Sequence, residues 1–243
     1  VLEKRYPAFP GLNLTFEVRE GIAKHSTLFD RPRLAVSEER GDEGPASLET
    51  QVVDVADEIA YDNHDLDDGL TSGLIEEKAP GEVPLWRDVE SMVKKQYPDL
   101  SWELKKFQIV KTLINMQVTD VIENTEKRLK EFRIQKASDV KNMPEKIVMF
   151  SKKMHMKRQP LREFLSQRLY RHYRVVRMSD KAARFLKSLF DVYLRKPEQL
   201  PTQTAARLKK EDTFRVVCDY IAGMTDRYAL DEYKKFFEPY ERV

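Results

Sequence analysis

Cysteine is nearly missing from these 243 residues, occurring once as Cys218. A single thiol excludes a disulfide framework and most cysteine-built zinc sites, and it points to a reducing, cytoplasmic compartment. Long apolar runs are missing as well. A membrane-spanning helix takes about 20 consecutive apolar residues, and every uncharged stretch here is far shorter, so no membrane is expected among the partners. The opening residues show no charged segment followed by an apolar one, the pattern of a secretory leader. Glycine is scarce and uneven: seven of the eight precede residue 82, and residues 82–222 hold none. A glycine-free stretch of that length with few prolines predicts helices joined by short connections. No G-x-G-x-x-G, G-x-x-x-x-G-K-[ST] or G-x-S-x-G pattern occurs, which excludes those phosphate loops and that nucleophile elbow.

What the chain does have is charge, arranged unevenly. The formal net charge is +2, yet residues 1–104 carry 11 Lys/Arg against 23 Asp/Glu, whereas residues 150–215 carry 18 against 6. A basic segment facing an acidic one can bind anions where the two meet, although charge runs of this kind are usually solvated faces. With 41% hydrophobic residues, 12 Phe and 10 Tyr, the chain also has enough apolar material for a sizeable core.

Helical periodicity accounts for most of the length. Thr15 caps a helix through Val18, Ile22 and His25. Residues 30–46 read as a loop. Ser47 starts a helix with Leu48, Val52, Val55 and Ile59 inward, ending by Gly69. Pro84 opens another, stopped by Pro98. From Ser101 a long helix reaches Phe132 with Trp102, Phe107, Val110, Ile114, Val121 and Leu129 inward. Residues 145–156 are ambiguous between strand and helix. Further helices fit 160–177, 179–195 and 212–237, with Ser179 as an N-cap. The expectation is an all-α, irregular multi-helix fold in a single domain, 1–243, without internal repeats or a separable linker.

The informative helix is 47–68. Asp57, Tyr61 and Asp65 stand at i, i+4 and i+8 and share one stripe about 12 Å long. Two carboxylates and a phenol on one face suit a metal ion or a polyol, because an ionised carboxylate is an acceptor-only, hard-cation ligand. The plain alternative is an acidic solvated face near a helix C-terminus, where negative charge opposes the helix dipole. A calcium loop fails on spacing, since counting back from Gly69 puts His64 and Leu66 where acids are required. His25, His155 and His172 are scattered and read as packed or surface histidines; Cys218, with no cation adjacent, reads as core.

A second constellation runs Leu161-Arg162-Glu163-Phe164-Leu165 to Leu169-Tyr170-Arg171-His172. Guanidinium forks suit phosphate oxygens, and Lys157, Arg158, Arg168 and Arg171 crowd around Arg162 and Tyr170. A polyphosphate and nucleic acid are both fitting anions, and a basic amphipathic surface helix is the bland reading.

Four blocks of sequence resemble the HD-superfamily deoxynucleoside triphosphate triphosphohydrolases, in particular the deoxyguanosinetriphosphate triphosphohydrolase-like proteins. They are Arg5-Tyr6-Pro7 with Gly11-Leu12-Asn13-Leu14-Thr15, then Ser47 through Tyr61 with His64-Asp65-Leu66-Asp67-Asp68-Gly69, then Leu169-Tyr170-Arg171-His172, then Thr225-Asp226-Arg227-Tyr228-Ala229. The resemblance implies an HD-like fold in which residues 1–80 complete the HD core and residues 84–243 form a helical C-terminal region. It implies hydrolysis of a dNTP, such as dGTP, to the deoxynucleoside and inorganic triphosphate with a divalent ion such as Mg or Mn. It places Asp57 among the metal ligands, Tyr61 against the deoxyribose, Asp65 on the 3′-OH, and Arg162 and Tyr170 near the triphosphate and sugar. A homo-oligomer and a nucleotide or single-stranded DNA effector follow from the same resemblance. The family's metal His, His-Asp pair and catalytic His and Glu precede the Arg-Tyr-Pro block and have no counterpart here, so no catalytic residue is assigned within this chain. Together with the Val1 start, this implies the C-terminal portion of a longer enzyme, inactive alone, with an apolar surface where the remaining helices pack. The competing expectation is a catalytically silent helical module that binds nucleotides or single-stranded nucleic acid through the basic 150–215 segment.

Overall fold

The computed structural model describes residues 12–25 and 44–242. They divide into two compact units, one ending at Leu169 and one running from Tyr170, where a single domain was expected. All regular structure in them is helical. The first unit holds α1 (Phe16–Lys24), α2 (Leu48–Thr71), α3 (Pro84–Gln96), α4 (Trp102–Glu131), α5 (Ala137–Lys141) and α6 (Lys152–Leu165). The second holds α7 (Tyr173–Arg195), α8 (Thr202–Ala205), α9 (Thr213–Ala222) and α10 (Asp226–Phe237). Among the described residues no helix is long and apolar enough to cross a membrane. Most of the loop expected at 30–46 lies outside them, as does the Arg5-Tyr6-Pro7 block.

Capping chemistry starts the early helices where the sequence placed them. The hydroxyls of Thr15, Ser47 and Ser101 accept the backbone N–H of Val18, Thr50 and Leu104, satisfying one orphan donor in each first turn. Around them α2, α3, α4 and α6 enclose an apolar interior of Leu66, Leu85, Val89, Ile109, Leu113 and Leu165. Gly69 allows this packing near the end of α2, because a Cβ there would stand 2.5 Å from Ile75 Cδ1.

The segment between α5 and α6, ambiguous in the sequence, is irregular as far as Ser151 and helical from Lys152. Its backbone is satisfied by a side chain rather than by a partner strand. Buried Gln51 accepts the N–H groups of Ile147 and Val148 at 2.7 and 3.0 Å and donates to the Ala46 carbonyl at 2.7 Å. Beside it Asp54 takes His25 Nδ1 at 2.7 Å and Lys146 Nζ at 2.6 Å, so α1, α2 and this segment are tied by polar contacts.

Several expectations are corrected. Helix α6 runs through Pro160 instead of starting there, then widens into a π-helical turn over 166–170. The break falls at Arg171-His172, and His172 caps α7 by accepting the Arg174 N–H, which leaves Ser179 inside α7. The helix expected over 212–237 is two helices, interrupted at Gly223 and recapped by Thr225. Val52 and Phe107 point outward, 53% and 59% exposed. Cys218 is exposed, because the core of the second unit takes Val216 and Val217 from the same turn. That core closes on Leu189 and Tyr193; the Tyr193 hydroxyl donates to Glu232 at 2.6 Å, and burial followed by this carboxylate pushes the phenol well above its usual range.

Candidate functional site

Helix α2 is divided lengthwise into faces of different character. Val55, Ile59, Leu66 and Leu70 are buried. Asp57 and Tyr61 lie on the outside, Tyr61 37% exposed, with Asp65 half-buried one turn further on. The predicted stripe therefore exists as a surface of a rigidly packed helix. The Asp57 carboxylate has no hydrogen-bond or ion-pair partner among the described residues.

Apolar surface borders this stripe on one side. Val52 and Val53 are exposed on α2, and Val118 and Ile122 are exposed on α4. Val52, Ala56, Ala60, Val118 and Ile122 line a shallow groove between the two helices. Exposed apolar side chains gathered along one groove mark a surface that something covers.

Charge borders the stripe on the other side. Glu58 and Asp62, one turn apart on α2, face Arg158 and Arg162, one turn apart on α6. Asp62 Oδ2 accepts Arg158 Nη2 at 2.6 Å and Arg162 Nε at 2.9 Å. Glu58 Oε2 accepts Arg162 Nη2 at 2.7 Å and Arg158 Nη1 at a longer 3.4 Å. The four formal charges cancel. Arg158 and Asp62 form the buried tier, their side chains 2% and 1% exposed, and the Arg158 guanidinium also lies 3.8 Å over the Phe150 ring. Arg162 and Glu58 form the outer tier at 18% and 20%. The tiers differ in basicity: burial holds Arg158 below the usual guanidinium range, whereas for Arg162 burial is outweighed by Asp62 and Glu58, which raise it. Two buried polar atoms of this cluster, Asp62 Oδ1 and Arg158 Nε, have no hydrogen-bond partner among the described residues.

Of the residues singled out in the sequence, the structure brings Asp57, Tyr61 and Asp65 onto one face of α2, with Arg162 held beside that helix by Glu58 and Asp62. Tyr170 is the first residue of the second unit, at the end of the π-helical turn. Arg158 looked like one more cation near the phosphate side and is instead buried. Glu58 and Asp62 were missed. Their signal was present as an acid pair at i, i+4 on one helix matched to an arginine pair at i, i+4 on another.

Among the described residues no group of three or more His, Cys, Asp or Glu side chains converges as a metal site. Asp57 offers one hard donor, and a divalent ion needs several. The described residues alone thus do not fit a metal.

Residues 148–235 match the family model described as a phosphohydrolase-associated domain. The whole chain is 46% identical over 242 residues to a deoxyguanosinetriphosphate triphosphohydrolase-like protein of Geobacter sulfurreducens and 45% identical to one of Geobacter metallireducens, covering 63% of each. A protein of the same name from Ralstonia pickettii is 42% identical over 97% of the chain, which covers 61% of that relative. The chain thus spans somewhat less than two thirds of the length of these curated relatives.

Proposed function

We propose that the chain is a member of the family of deoxyguanosinetriphosphate triphosphohydrolase-like proteins, on its 45–46% identity to two of them over 63% of their length, and that the whole protein hydrolyses a dNTP, with dGTP the first candidate, to the deoxynucleoside and inorganic triphosphate. The residues described here supply part of the substrate site. Tyr61 lays its ring along the deoxyribose, and Asp65 accepts a hydrogen bond from the 3′-OH. Arg162 and Tyr170 are assigned to the triphosphate and sugar on the sequence resemblance. Asp57 is one donor toward a divalent ion whose other ligands come from sequence beyond these residues.

The observation that carries the reading is the outward stripe of Asp57, Tyr61 and Asp65, set between an exposed apolar groove and an arginine cluster. Open Val52 and Val53 beside that stripe, continued in the groove by Val118 and Ile122, support a surface that is covered on assembly. The portion of the relatives' length not spanned here is the proposed cover, which makes these 243 residues inactive by themselves. Triphosphate release from dGTP, measured by ion chromatography on the longer protein, is abolished in Asp57→Ala while its folding is unchanged. Full activity in that variant refutes the assignment, and turnover by residues 1–243 alone refutes the dependence on a cover.

One observation favours the second reading, a nucleic-acid face. Arg174, Arg177, Lys181 and Arg184 recur at helical spacing on α7, all exposed, beside Tyr173 at 58% exposure. A cationic row with an open aromatic ring suits a single strand, through phosphate contacts and base stacking. Binding of an oligothymidylate that weakens steeply between 50 and 200 mM salt, as counterion release requires, supports it, and no binding at the lower salt removes it.

A further inference from the structure

We propose that the second unit carries a binding site for an uncharged nucleoside, recognised through the paired hydroxyls of Tyr220 and Tyr228. The turn between α9 and α10 faces α8 and the helical turn that follows it across a cavity of about 660 Å³. Gln203 and Arg207 border it on one side, and Asp219, Tyr220, Gly223 and Tyr228 on the other. That size lies within the range of small-molecule sites, which combine such a hollow with a few convergent polar groups.

The charges in its wall already compensate one another. Arg207 donates from Nε to Glu211 at 3.0 Å and from Nη2 to Glu211 and Asp219, both at 2.6 Å. Arg215 Nε completes the set on the other Asp219 oxygen at 2.9 Å, so the four formal charges cancel. Glu211 and then Asp219 raise Arg207 above the usual guanidinium range, and Arg207 in turn holds Asp219 below the usual carboxylate range. A phosphate reaching this guanidinium has to displace two carboxylates, and a cation reaching Asp219 has to displace two arginines. The cavity therefore selects against ligands of either charge.

The hydrogen-bonding capacity left for a ligand is at the two phenols. Their oxygens lie 3.1 Å apart, and either can donate to the other. One proton is used between them, so the pair presents one donor and, beside it, oxygen lone pairs. Behind it Tyr193 is fully buried, meets the Tyr220 ring edge-on at 5.4 Å and gives its own proton to Glu232 at 2.6 Å. Burial, followed by Tyr228, pushes Tyr220 above the usual phenol range and keeps it a neutral hydrogen-bonding group. A donor beside an acceptor matches the edge of a nucleobase, which offers the reverse pair. Tyr228, 43% exposed, adds ring surface for stacking, and Thr202, Gln203 and Thr204 bring hydroxyl and amide groups for a sugar. A deoxynucleoside is also what the proposed hydrolysis releases, so the site reads product, but its recognition chemistry does not depend on that reading.

Deoxyguanosine is the probe, added to nitrogen-15-labelled residues 1–243, with inorganic tripolyphosphate and deoxyribose titrated in parallel. Deoxyguanosine shifts the amide signals of Gln203, Gly223, Thr225 and Tyr228 saturably, whereas tripolyphosphate and deoxyribose leave them in place. Tyr228→Phe removes one hydroxyl from the exposed rim and weakens binding roughly threefold to tenfold, the loss of one neutral hydrogen bond. Tyr220→Phe does the same, with circular dichroism confirming the fold of each variant, and Tyr173→Phe, a phenol on α7 outside the cavity, changes nothing. If Tyr228→Phe binds deoxyguanosine as tightly as wild type, the hydroxyl pair is not the recognition element and the proposal is refuted. Tripolyphosphate shifting these amides shows that Arg207 accepts an anion and overturns it too. Deoxyribose acting as strongly as deoxyguanosine, or deoxyguanosine shifting none of them at millimolar concentration, has the same result. Each of these outcomes leaves the hydrolysis reading to its own test, triphosphate release in Asp57→Ala.

Discussion

Replacing Arg158 by Met tests what the buried tier of charge does for the fold. The side chain is 2% exposed, donates to Asp62 at 2.6 Å and lies 3.8 Å over Phe150. Methionine retains much of the apolar stem but leaves Asp62 buried with a single cation, Arg162. Breaking a buried pair by removing one partner costs about 3–5 kcal/mol, and the surviving Arg162 bond places this case near the lower end, about 3 kcal/mol. Both tryptophans, Trp86 and Trp102, belong to the first unit, so their fluorescence in urea follows that unit alone. With a denaturant slope of about 2 kcal/mol per molar urea, the midpoint falls by roughly 1.5 M. The double variant Arg158→Met, Asp62→Leu removes one charge of each sign and leaves Arg162 with Glu58. It recovers to within about 1 kcal/mol of wild type, because the isolated buried charge is gone. A midpoint shift below about 0.5 M for Arg158→Met, or a double variant as unstable as the sum of its two single changes, would falsify the account of a mutually neutralising cluster.

Gly69→Ala forces a methyl group toward Ile75 Cδ1, 2.5 Å away, and lowers stability by about 1–3 kcal/mol in the same urea assay. Glu90 has its carboxyl held below the usual range despite the opposing effect of burial, through hydrogen bonds and attraction from Lys105 and Lys94. A depressed carboxyl contributes stability above its unfolded value of about 4.3 and loses it as pH falls further through the folded value. Melting temperature should therefore drop more steeply in wild type than in Glu90→Gln as pH is lowered from 5 toward 3; equal slopes contradict the linkage. Exchanging Val52, Val53 and Ile122 for Gln should reduce binding of an apolar dye to residues 1–243 and change stability by less than about 0.5 kcal/mol per site, since these side chains are already in water. A large loss of stability would show that they are packed.

Fold class was legible in the sequence because helix starts are local chemistry. Thr15, Ser47 and Ser101 each need only their own first turn to declare a cap. Ends and interruptions depend on distant partners. Pro160 reads locally as a helix start, yet α6 carries it internally because Arg158, Leu161 and Leu165 on both sides of it are buried. Val52 and Phe107 obey the helical period and still face outward, since periodicity marks an apolar stripe without saying whether its cover is present. The Asp57, Tyr61 and Asp65 stripe was legible for the same reason as the helices, being a matter of spacing within one element. The Glu58–Asp62–Arg158–Arg162 cluster was not, because it exists only once two helices about 100 residues apart are laid together.

That separation sets an order of events during synthesis. The bonds from α2 to α6 join residues 96 to 104 positions apart, and those of Gln51 to Ile147 and Val148 join residues 96 and 97 apart. At about 5–20 residues per second, α2 leaves the ribosome roughly 5–20 seconds before its arginines do. Through that interval Glu58 and Asp62 can only be hydrated, so the inner side of α2 has no low-dielectric home. Ribosome-bound chains halted before residue 158 should therefore hold α2 loosely against α4, and release of α6 should act as the latch that closes the first unit.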